Sequence, residues 1–382
     1  MSGAKDIEQR DYFRNRLVKR DRHLRKWSKR NRSDCYRVYD RDIPEVPLAV
    51  DRYGDAAVLY LYERPFDKDP GEELAWLELM KEAAVEALGI DPAALVVRAR
   101  RRLGIDEQYE RGDAQGVCRT VREQGLQFEV KLGDYLDTGL FMDHRPARAF
   151  VRKLADGKRV LNLYCYTGSF SVYALDGNAS SVTGVDLSNT YLSWAEDNIR
   201  LNGLPMERYR GVRADVQAFL ASEKAAGERY DIIVLDPPTF SNSKMMEGFL
   251  DVNRHWPELV SACAELLDPE GFLLFSTNSR QLRFDESLLT GLVVRDIGRG
   301  AGAVILAGRM RARGIAEGFR IGLHRQRVEQ VEILGSAPAR DGAVEPADRV
   351  GLEQVLQDRL GMGQEGPVTN VHDVRRDHAL PP

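Results

Sequence analysis

One stretch near the middle of the chain constrains the fold more than any other. Residues Val160 to Phe170 begin as an apolar run and break at a turn that contains Thr167, Gly168 and Ser169, and Ser169 to Leu175 can continue as a helix. A strand, a tight turn and a helix N-terminus are typical of nucleotide-binding α/β folds, where a glycine lets the backbone approach a ligand. Because there is no G-x-G-x-x-G, the turn alone also fits an ordinary strand-to-helix connection.

Three carboxylates follow this turn. Asp186 ends the apolar segment that begins at Ser181, roughly 20 residues past the turn, which is the spacing at which an acid meets ribose hydroxyls. Asp215 ends a further short segment. Asp236 ends a third apolar segment, and the prolines after it cannot continue a strand. Asp-Pro-Pro alone is also a structural strand stop. In this order, however, the glycine turn and the three carboxylates resemble the layout of the class I S-adenosylmethionine-dependent methyltransferases.

Composition limits the class of protein. The chain has 382 residues, of which 43% are hydrophobic and 30% charged, which is enough for two domains with their own cores. Four cysteines lie apart without C-x-x-C spacing, which argues against zinc and disulfides and favours a reducing cytoplasm. No apolar run approaches about 18 residues, and the charged N-terminus has no apolar segment of the signal-peptide kind. We therefore expect a cytoplasmic protein without metal or membrane.

The N-terminal residues are strongly basic. Residues 1–33 contain twelve Lys or Arg and four Asp or Glu, whereas the whole chain has a net charge of −4. Residues 9–33 show a narrow apolar helical stripe, and we predict a basic helical arm over residues 1–33. A basic arm on an acidic body favours contact with an RNA backbone, although a solvated helix face is the alternative. The candidate contacts are Arg14, Arg16, Lys19, Arg20, Arg22, Arg25, Lys26, Lys29 and Arg30.

Residues 34–144 read as a small α+β RNA-binding domain. A β-hairpin is predicted over 48–62, a helix over 72–88 that Gly89 ends, and strands over 95–100 and 125–132. Arg101 and Arg102 belong to a basic cluster that we expect to contact RNA. The segment 134–145 is too polar for a simple linker, and we expect Asp137, Thr138 and Gly139 to line the cofactor pocket. His144 is either a catalytic base or a hydrogen-bonded structural residue.

Residues 145–290 are the predicted methyltransferase domain. Helices are expected over 146–154, 192–201 and 253–267, and a strand with its exit turn over 271–280. After the prolines, Phe240 can stack on an unstacked base, and Ser243 and Lys244 lie in a polar loop that we expect to touch the nucleotide.

At this point the chain resembles a known family, the guanine-N7 methyltransferases of 23S rRNA of the RlmK type. In many bacteria this enzyme is the C-terminal half of a fused protein whose other half is a guanine-N2 enzyme. The resemblance covers residues 11 to about 283. It is carried by Asp34 to Asp40, Ala49 to Tyr53, Asp134 to Arg145, Thr190 to Glu196 and Asp236 to Lys244.

The resemblance implies a Rossmann-like class I sheet, S-adenosylmethionine as the cofactor, and 23S rRNA or a large-subunit precursor as the partner. This chain would be a free-standing version of the enzyme. The expected catalytic residues are Asp236, Pro237, Pro238 and Phe240. The expected cofactor-binding residues are Asp137, Thr138, Gly139, Asn162, Tyr164, Thr167, Gly168, Ser169, Asp186, Leu187, Asp215 and Asp236.

The chemistry of the acceptor agrees with this expectation. Methyl transfer from a sulfonium is an in-line displacement, and guanine N7 has a lone pair and no proton to lose, so no strong base is required. Cytosine-C5 methylation needs a cysteine nucleophile, and none follows Asp236 or the strand after it. Methylation of guanine N2 or another rRNA base remains open, as does a non-catalytic assembly factor that keeps the cofactor pocket.

The resemblance fades after about residue 290. Residues 291–382 contain a single aromatic residue, Phe319, and lack the H-x-C-W run of the family's last strands. Two explanations are open: a frameshift that replaced the final strands, in which case the sheet lacks an edge, and a divergent or disordered tail. Residues 292–297 still read as a strand.

Overall fold

The chain forms two sheets that meet along a small hairpin. A computed structural model describes residues 3–62, 69–100, 116–133, 137–242, 249–279, 281–296 and 303–309. Arg101, Arg102, Ser243, Lys244 and most of the predicted tail lie outside the described residues.

The N-terminal part is a four-stranded sheet covered by two helices. Its elements are α1 (Ala4–Asn31), β1 (Cys35–Asp40), β2 (Leu48–Tyr53), β3 (Ala56–Tyr62), α2 (Pro70–Leu88) and β4 (Leu95–Arg100). The sheet order is β1-β2-β3-β4, with antiparallel pairs except for β3 and β4, which are parallel and joined through α2. Asp69 caps α2 at its N-terminus and Gly89, with φ of 60°, ends it.

Helix α1, predicted as a basic arm, packs its apolar stripe into this domain. Phe13, Leu17 and Leu24 are buried in one cluster with Trp76 and Met80 of α2. At buried Asp21, the carboxylate accepts hydrogen bonds from Tyr36 and from the guanidiniums of Arg25 and Arg52. The helix is therefore fixed on the sheet by a hydrophobic face and by one buried charge.

The second part is a seven-stranded sheet among the described residues. Its strands are β7 (Arg159–Leu163), β8 (Ser181–Asp186), β9 (Tyr209–Arg213), β10 (Tyr230–Leu235), β13 (Leu267–Thr277), β14 (Leu292–Asp296) and β15 (Ala303–Arg309). They lie in the order β14-β15-β13-β10-β7-β8-β9. Six of the seven point in the same direction, and β15 runs antiparallel to both of its neighbours. The apolar sequences of β7 and β10 follow from this arrangement, because a central parallel strand is buried on both faces.

Five helices and two short ribbons complete this part. The helices are α3 (Arg145–Leu154), α4 (Ser169–Asp176), α5 (Asn189–Leu201), α6 (Val216–Ala226) and α7 (Val252–Glu265). The ribbons pair β5 (Cys118–Glu123) with β6 (Leu126–Lys131), and β11 (Phe240–Ser241) with β12 (Leu250–Asp251). The hairpin β5–β6 buries Val121, Phe128 and Val130 in the same cluster as α3 and α4.

Most of the predicted elements are confirmed, with ends that differ by a few residues. The hairpin at 48–62, the helix ended by Gly89 and the strand at 95–100 are present. Sequence reasoning missed β5, α6 and β15. In the tail, residues 292–296 of the predicted strand form β14, which pairs with β15 at one edge of the described sheet. The proposed domain boundaries remain predictions.

A buried charge cluster joins the two parts. The Glu123 carboxylate on β5 is fully buried and accepts hydrogen bonds from the guanidiniums of Arg145 and Arg148 on α3 and from the Tyr173 hydroxyl on α4. Arg145 also donates to the Cys35 carbonyl oxygen on β1, and its guanidinium carbon lies 5.0 Å from the ring centre of Trp27 on α1. The Glu123 carboxylate thus bonds side chains of α3 and α4 directly, and through Arg145 it is connected to the backbone of β1 and to a ring on α1.

We expect Glu123→Gln to lower the free energy of unfolding by about 3–5 kcal/mol, because the variant leaves two buried guanidiniums without their counter-charge. Chemical denaturation followed by tryptophan fluorescence measures the change. The control is Glu228→Gln, which removes an exposed ion pair with Arg159 and should cost less than about 1 kcal/mol. Equal losses in the two variants would show that the buried cluster carries no special weight.

Candidate functional site at the strand ends

The register of the central strands gathers the predicted site residues into one row. Leu163 pairs with Leu235 on one side and with Val185 on the other, and Leu235 also pairs with Phe275. The next residues along these four strands are Tyr164, Asp236, Asp186 and Ser276. After β7 the chain adds β8 and β9 on one side of that strand and then returns to add β10 on the other side. In open parallel sheets, ligands bind at such a switch in strand order.

The turn after β7 is held by Asp186. One carboxylate oxygen of Asp186 accepts from the backbone N–H of Tyr166 at 3.0 Å, and the other accepts from that of Ser188 at 2.9 Å. Burial raises the pKa of the Asp186 carboxyl, and these two N–H groups lower it in part because they bond the charged form. The side chain is half-buried, so it keeps a face toward solvent.

Two glycines allow close packing around the turn. Gly168, with φ of 71°, precedes α4, and a Cβ there would lie 2.5 Å from the Cβ of Ala195 on α5. Gly139, with φ of 99°, would place a Cβ 2.4 Å from the Trp194 ring. The buried Thr167 hydroxyl donates to the Gly139 carbonyl oxygen at 2.6 Å. The structure thus brings the segment 137–139 against the glycine turn, and its role in lining a cofactor pocket stays a prediction.

Other predicted cofactor residues have structural partners. The Thr138 hydroxyl shares a hydrogen bond with that of Tyr53 at 3.0 Å. Buried Asn162 donates a hydrogen bond to Ser171 on α4, which suits a support beneath the turn better than a ligand contact.

The remaining predicted cofactor residues lie at helix starts and strand ends. Asp215 caps α6 by accepting a hydrogen bond from the Ala218 N–H at 3.0 Å. The Leu187 carbonyl oxygen accepts from Arg213, and Ser169 is the first residue of α4. Their roles toward a cofactor stay predictions.

Tyr166 is a residue that sequence reasoning missed. It has a φ of 49°, and its ring packs edge-on against Tyr191, with the centroids 4.6 Å apart, and lies 5.4 Å from the ring of Phe141. Its phenol oxygen is buried and has no hydrogen-bond partner among the residues that the structure describes. Burial raises the pKa of the Tyr166 phenol well above its ordinary range, so the group is a neutral donor. Only its place in the Cys-Tyr-Thr-Gly turn could have signalled it.

Asp236 lies at the C-terminal end of β10 beside Ser276 and His144. The Ser276 hydroxyl donates to one Asp236 oxygen at 2.6 Å. The other oxygen is 3.8 Å from His144 Nε2, which is also 3.9 Å from Asp143; both distances exceed a hydrogen bond. His144 is buried, and its Nδ1 has no hydrogen-bond partner within the described part of the chain. The structure therefore leaves both earlier interpretations of His144 open and adds Ser276, which the sequence did not indicate.

The prolines and Phe240 form a ledge after Asp236. Pro237 is buried and Pro238 is half-buried. The backbone of Phe240 pairs with that of Asp251 in the β11–β12 ribbon, and its ring stacks on that of Phe249 with the centroids 5.7 Å apart. The Phe249 side chain is 48% exposed, so this aromatic pair faces solvent next to the candidate site.

Several of the predicted RNA contacts are engaged within the chain. Arg14 pairs with Glu86, Arg16 with Asp42, and Arg25 with Asp21. Arg20 is half-buried, and burial lowers the pKa of its guanidinium. Lys19 and Lys26 are exposed, and no described residue pairs with either of them.

The described residues contain neither a group of metal-ligating side chains nor a helix that could span a membrane. Among them, no three His, Cys, Asp or Glu side chains converge in a way that could hold a metal ion. None of their helices is both long and apolar enough to cross a membrane.

Comparison with known proteins identifies the family. The model of the family described as S-adenosylmethionine-dependent methyltransferase matches residues 65–297. The chain is 45% identical over 287 residues to "Ribosomal RNA large subunit methyltransferase K" of Neisseria meningitidis serogroup B, covering 75% of this chain and 81% of that protein. It is 47% identical to the K/L protein of Pseudomonas entomophila, again over 75% of this chain but over only 38% of the longer relative.

The structural comparison agrees on the fold. SMU.776, described as a methyltransferase and crystallised with SAH, superposes with a TM-score of 0.65 at 21% identity over 78% of this chain and 81% of that one. These matches confirm the class I methyltransferase sheet and the S-adenosylmethionine cofactor that the sequence predicted. The chain belongs to the S-adenosylmethionine-dependent methyltransferases and, within them, to the family of ribosomal RNA large subunit methyltransferase K.

Proposed function

We propose that this chain transfers a methyl group from S-adenosylmethionine to N7 of a guanine in 23S rRNA, presented as free rRNA or in a large-subunit precursor. The observation that carries the rRNA substrate is the 45% identity to a protein named for large-subunit rRNA methylation, with 81% of that protein covered. The N7 acceptor rests on the resemblance in the motifs and on the chemistry of the site.

The residues at the strand ends fit the cofactor. Asp186 offers carboxylate oxygens at the position that suits ribose hydroxyls, and Tyr166 has a buried phenol that no described residue bonds. Gly168 keeps the turn free of a side chain where the backbone meets α5. When it is bound, S-adenosylmethionine supplies the electrophilic methyl group. The protein has to hold the acceptor in line with it and exclude competing geometries.

Asp236 is the residue that we assign to the acceptor side. Ser276 fixes the orientation of its carboxylate through a 2.6 Å hydrogen bond. A carboxylate can accept hydrogen bonds from N1 and the N2 amino group of guanine, and in this pose N7 would lie on the other side of the base from Asp236. N7 itself carries a lone pair and no proton, so the transfer needs no general base. Pro237 and Pro238 keep the backbone rigid beside it, and Phe240 offers a ring for a base that has left its stack.

The setting of the reaction is also a proposal. Cys35, Cys118, Cys165 and Cys263 are all free thiols, which suits the reducing cytoplasm where rRNA is made.

The first test is the identity of the product. The protein is incubated with labelled S-adenosylmethionine and large-subunit rRNA that lacks its own N7 mark, and the digested nucleosides are identified by mass spectrometry. We expect 7-methylguanosine. N2-methylguanosine or another nucleoside would keep the fold and overturn the acceptor. Cofactor binding without any product would instead favour a non-catalytic assembly factor.

We expect Asp186→Asn to weaken cofactor binding by roughly ten- to a hundredfold, about 1.4–2.8 kcal/mol, because one acceptor oxygen is lost beneath the turn. Calorimetry with S-adenosylmethionine measures the dissociation constant. The control is Asp231→Asn at the start of β10, whose carboxylate bonds Lys158 and the Arg159 backbone at the opposite end of the sheet. Equal affinities in both variants would mean that the cofactor site is misplaced.

We expect Asp236→Ala to lower kcat by roughly a hundredfold or more while the affinity for S-adenosylmethionine changes little, because the lost contact orients the acceptor. Ser276→Ala should have a smaller effect on kcat, since it only frees the carboxylate to rotate. Single-turnover methylation assays measure both rates. A normal rate in Asp236→Ala would remove this residue from the acceptor site.

A further inference from the structure

Among the cations of α1, two groups differ in position and in partners. Arg14, Arg16 and Arg25 lie at the flanks of the buried face and reach acidic side chains of the same domain. A second group lies on the outer face, and we call it the basic stripe. Its members are all exposed, and the described part of the chain offers none of them an ion pair or a side-chain hydrogen bond: Lys19, Arg22, Lys26, Lys29 and Arg30.

Helix geometry explains this division. At 100° per residue, the five members of the basic stripe fall within an arc of about 100° that spans roughly three turns. The buried residues Phe13, Leu17 and Leu24 lie on the opposite side of the helix. Asp21, the acid closest to the stripe in sequence, also points to the buried side, where Tyr36, Arg25 and Arg52 bond its carboxylate. No acidic side chain therefore interrupts the stripe.

An uninterrupted row of this kind is unfavourable for the isolated protein. Lys19 and Arg22, Arg22 and Lys26, and Lys26 and Arg30 are like charges at spacings of three or four residues, which repel each other on a helix. Other surface cations of this chain have acidic neighbours; Arg200, for example, pairs with both Glu196 and Asp197. The stripe lacks such compensation although the chain as a whole is acidic, with a net charge of −4.

The position of the stripe connects it to the methyltransferase sheet. Trp27, in the last turns of α1, lies against Arg145 with 5.0 Å between the guanidinium carbon and the ring centre. Arg145 starts α3 and directly follows His144, which is 3.8 Å from Asp236. The end of α1 that carries Lys26, Lys29 and Arg30 is thus joined to the candidate site by a short run of contacts.

We propose that the basic stripe is the surface on which the phosphate backbone of the RNA substrate docks, and that Arg14, Arg16 and Arg25 hold the helix in place without contacting RNA. This inference rests on the proposed rRNA substrate and narrows the earlier set of candidate contacts. Phosphate contacts position a nucleic acid without reading its sequence, so the stripe supplies affinity and orientation, while the strand-end site selects the base.

The test measures how RNA affinity depends on salt. The stripe variant carries Lys19→Gln, Arg22→Gln, Lys26→Gln, Lys29→Gln and Arg30→Gln, since glutamine keeps helix propensity and removes charge. The control variant changes the net charge equally at exposed, partnered cations of the other domain: Lys158→Gln, Arg159→Gln, Arg200→Gln, Arg208→Gln and Lys224→Gln. Filter binding to unmodified 23S rRNA transcript is measured over a series of KCl concentrations, and circular dichroism checks that both variants are folded.

We expect the slope of log affinity against log salt to become shallower by about 3.5–4.5 in the stripe variant and to change by less than about 1 in the control, because each of the five lost phosphate contacts removes roughly 0.7–0.9 from the slope. A third variant, with Lys19→Arg, Lys26→Arg and Lys29→Arg, should keep the slope of the natural protein. A change of less than about 2 in the stripe variant, or an equal change in the control, would overturn the proposal.

The proposal for RNA docking and the proposal for the methylated atom can be tested independently of each other. The salt slope measures RNA affinity and needs no methyl transfer, so a product other than 7-methylguanosine would leave the stripe assignment intact. Conversely, 7-methylguanosine formation with normal RNA affinity in the stripe variant would support the proposed function and reject the stripe. Cofactor affinity should be the same in all variants, because none of the changed side chains lies at the strand-end site.

Discussion

The buried carboxylate of Glu123 is the interaction on which the arrangement of the two sheets depends. It sits on a hairpin that packs with the large sheet, and it faces two guanidiniums and one phenol. Burying charges is costly unless each has a close partner, so the cluster is stable only when β5, α3 and α4 are all in place. Arg145 extends the same network to β1 and to Trp27. The N-terminal domain therefore has one defined position relative to the strand ends.

That position matters because the candidate site draws on the segment before α3 as well as on the large sheet. The segment before α3 supplies Gly139, Asp143 and His144, whereas the sheet supplies Asp186, Asp236 and Ser276. Thr167 bonds the Gly139 carbonyl oxygen, and Asn198 on α5 donates to the Thr167 carbonyl oxygen while its own side-chain oxygen accepts from the Glu129 N–H on β6. The site is thus held by buried hydrogen bonds to backbone groups, which position a loop more firmly than surface contacts do.

The sequence was sufficient to predict the strands that form the site and their order along the chain. An apolar run that ends at an acid or at Asp-Pro-Pro can be read directly, because both the burial of a parallel strand and the break at its end are local properties. Ser276 could not be predicted, because its importance comes from the register between β10 and β13. Tyr166 had only its place in the glycine turn as a signal, because its orientation depends on a positive φ. The sequence also could not predict the ion pairs of Arg14 with Glu86 and of Arg16 with Asp42. These partners are distant in sequence and come together only when α1 packs on its domain.

The buried carboxylate of Asp21 has a consequence for how this helix can vary. Two of its partners, Tyr36 on β1 and Arg52 on β2, lie on the sheet, and their hydrogen bonds fix the rotation of α1 about its own axis. Lysine and arginine can therefore exchange freely along the outer face without disturbing the packing below. A single inserted or deleted residue between Asp21 and Lys26 would instead turn every later cation by about 100°. Among relatives that keep this acid, the spacing should thus be far more constrained than the identity of the cations.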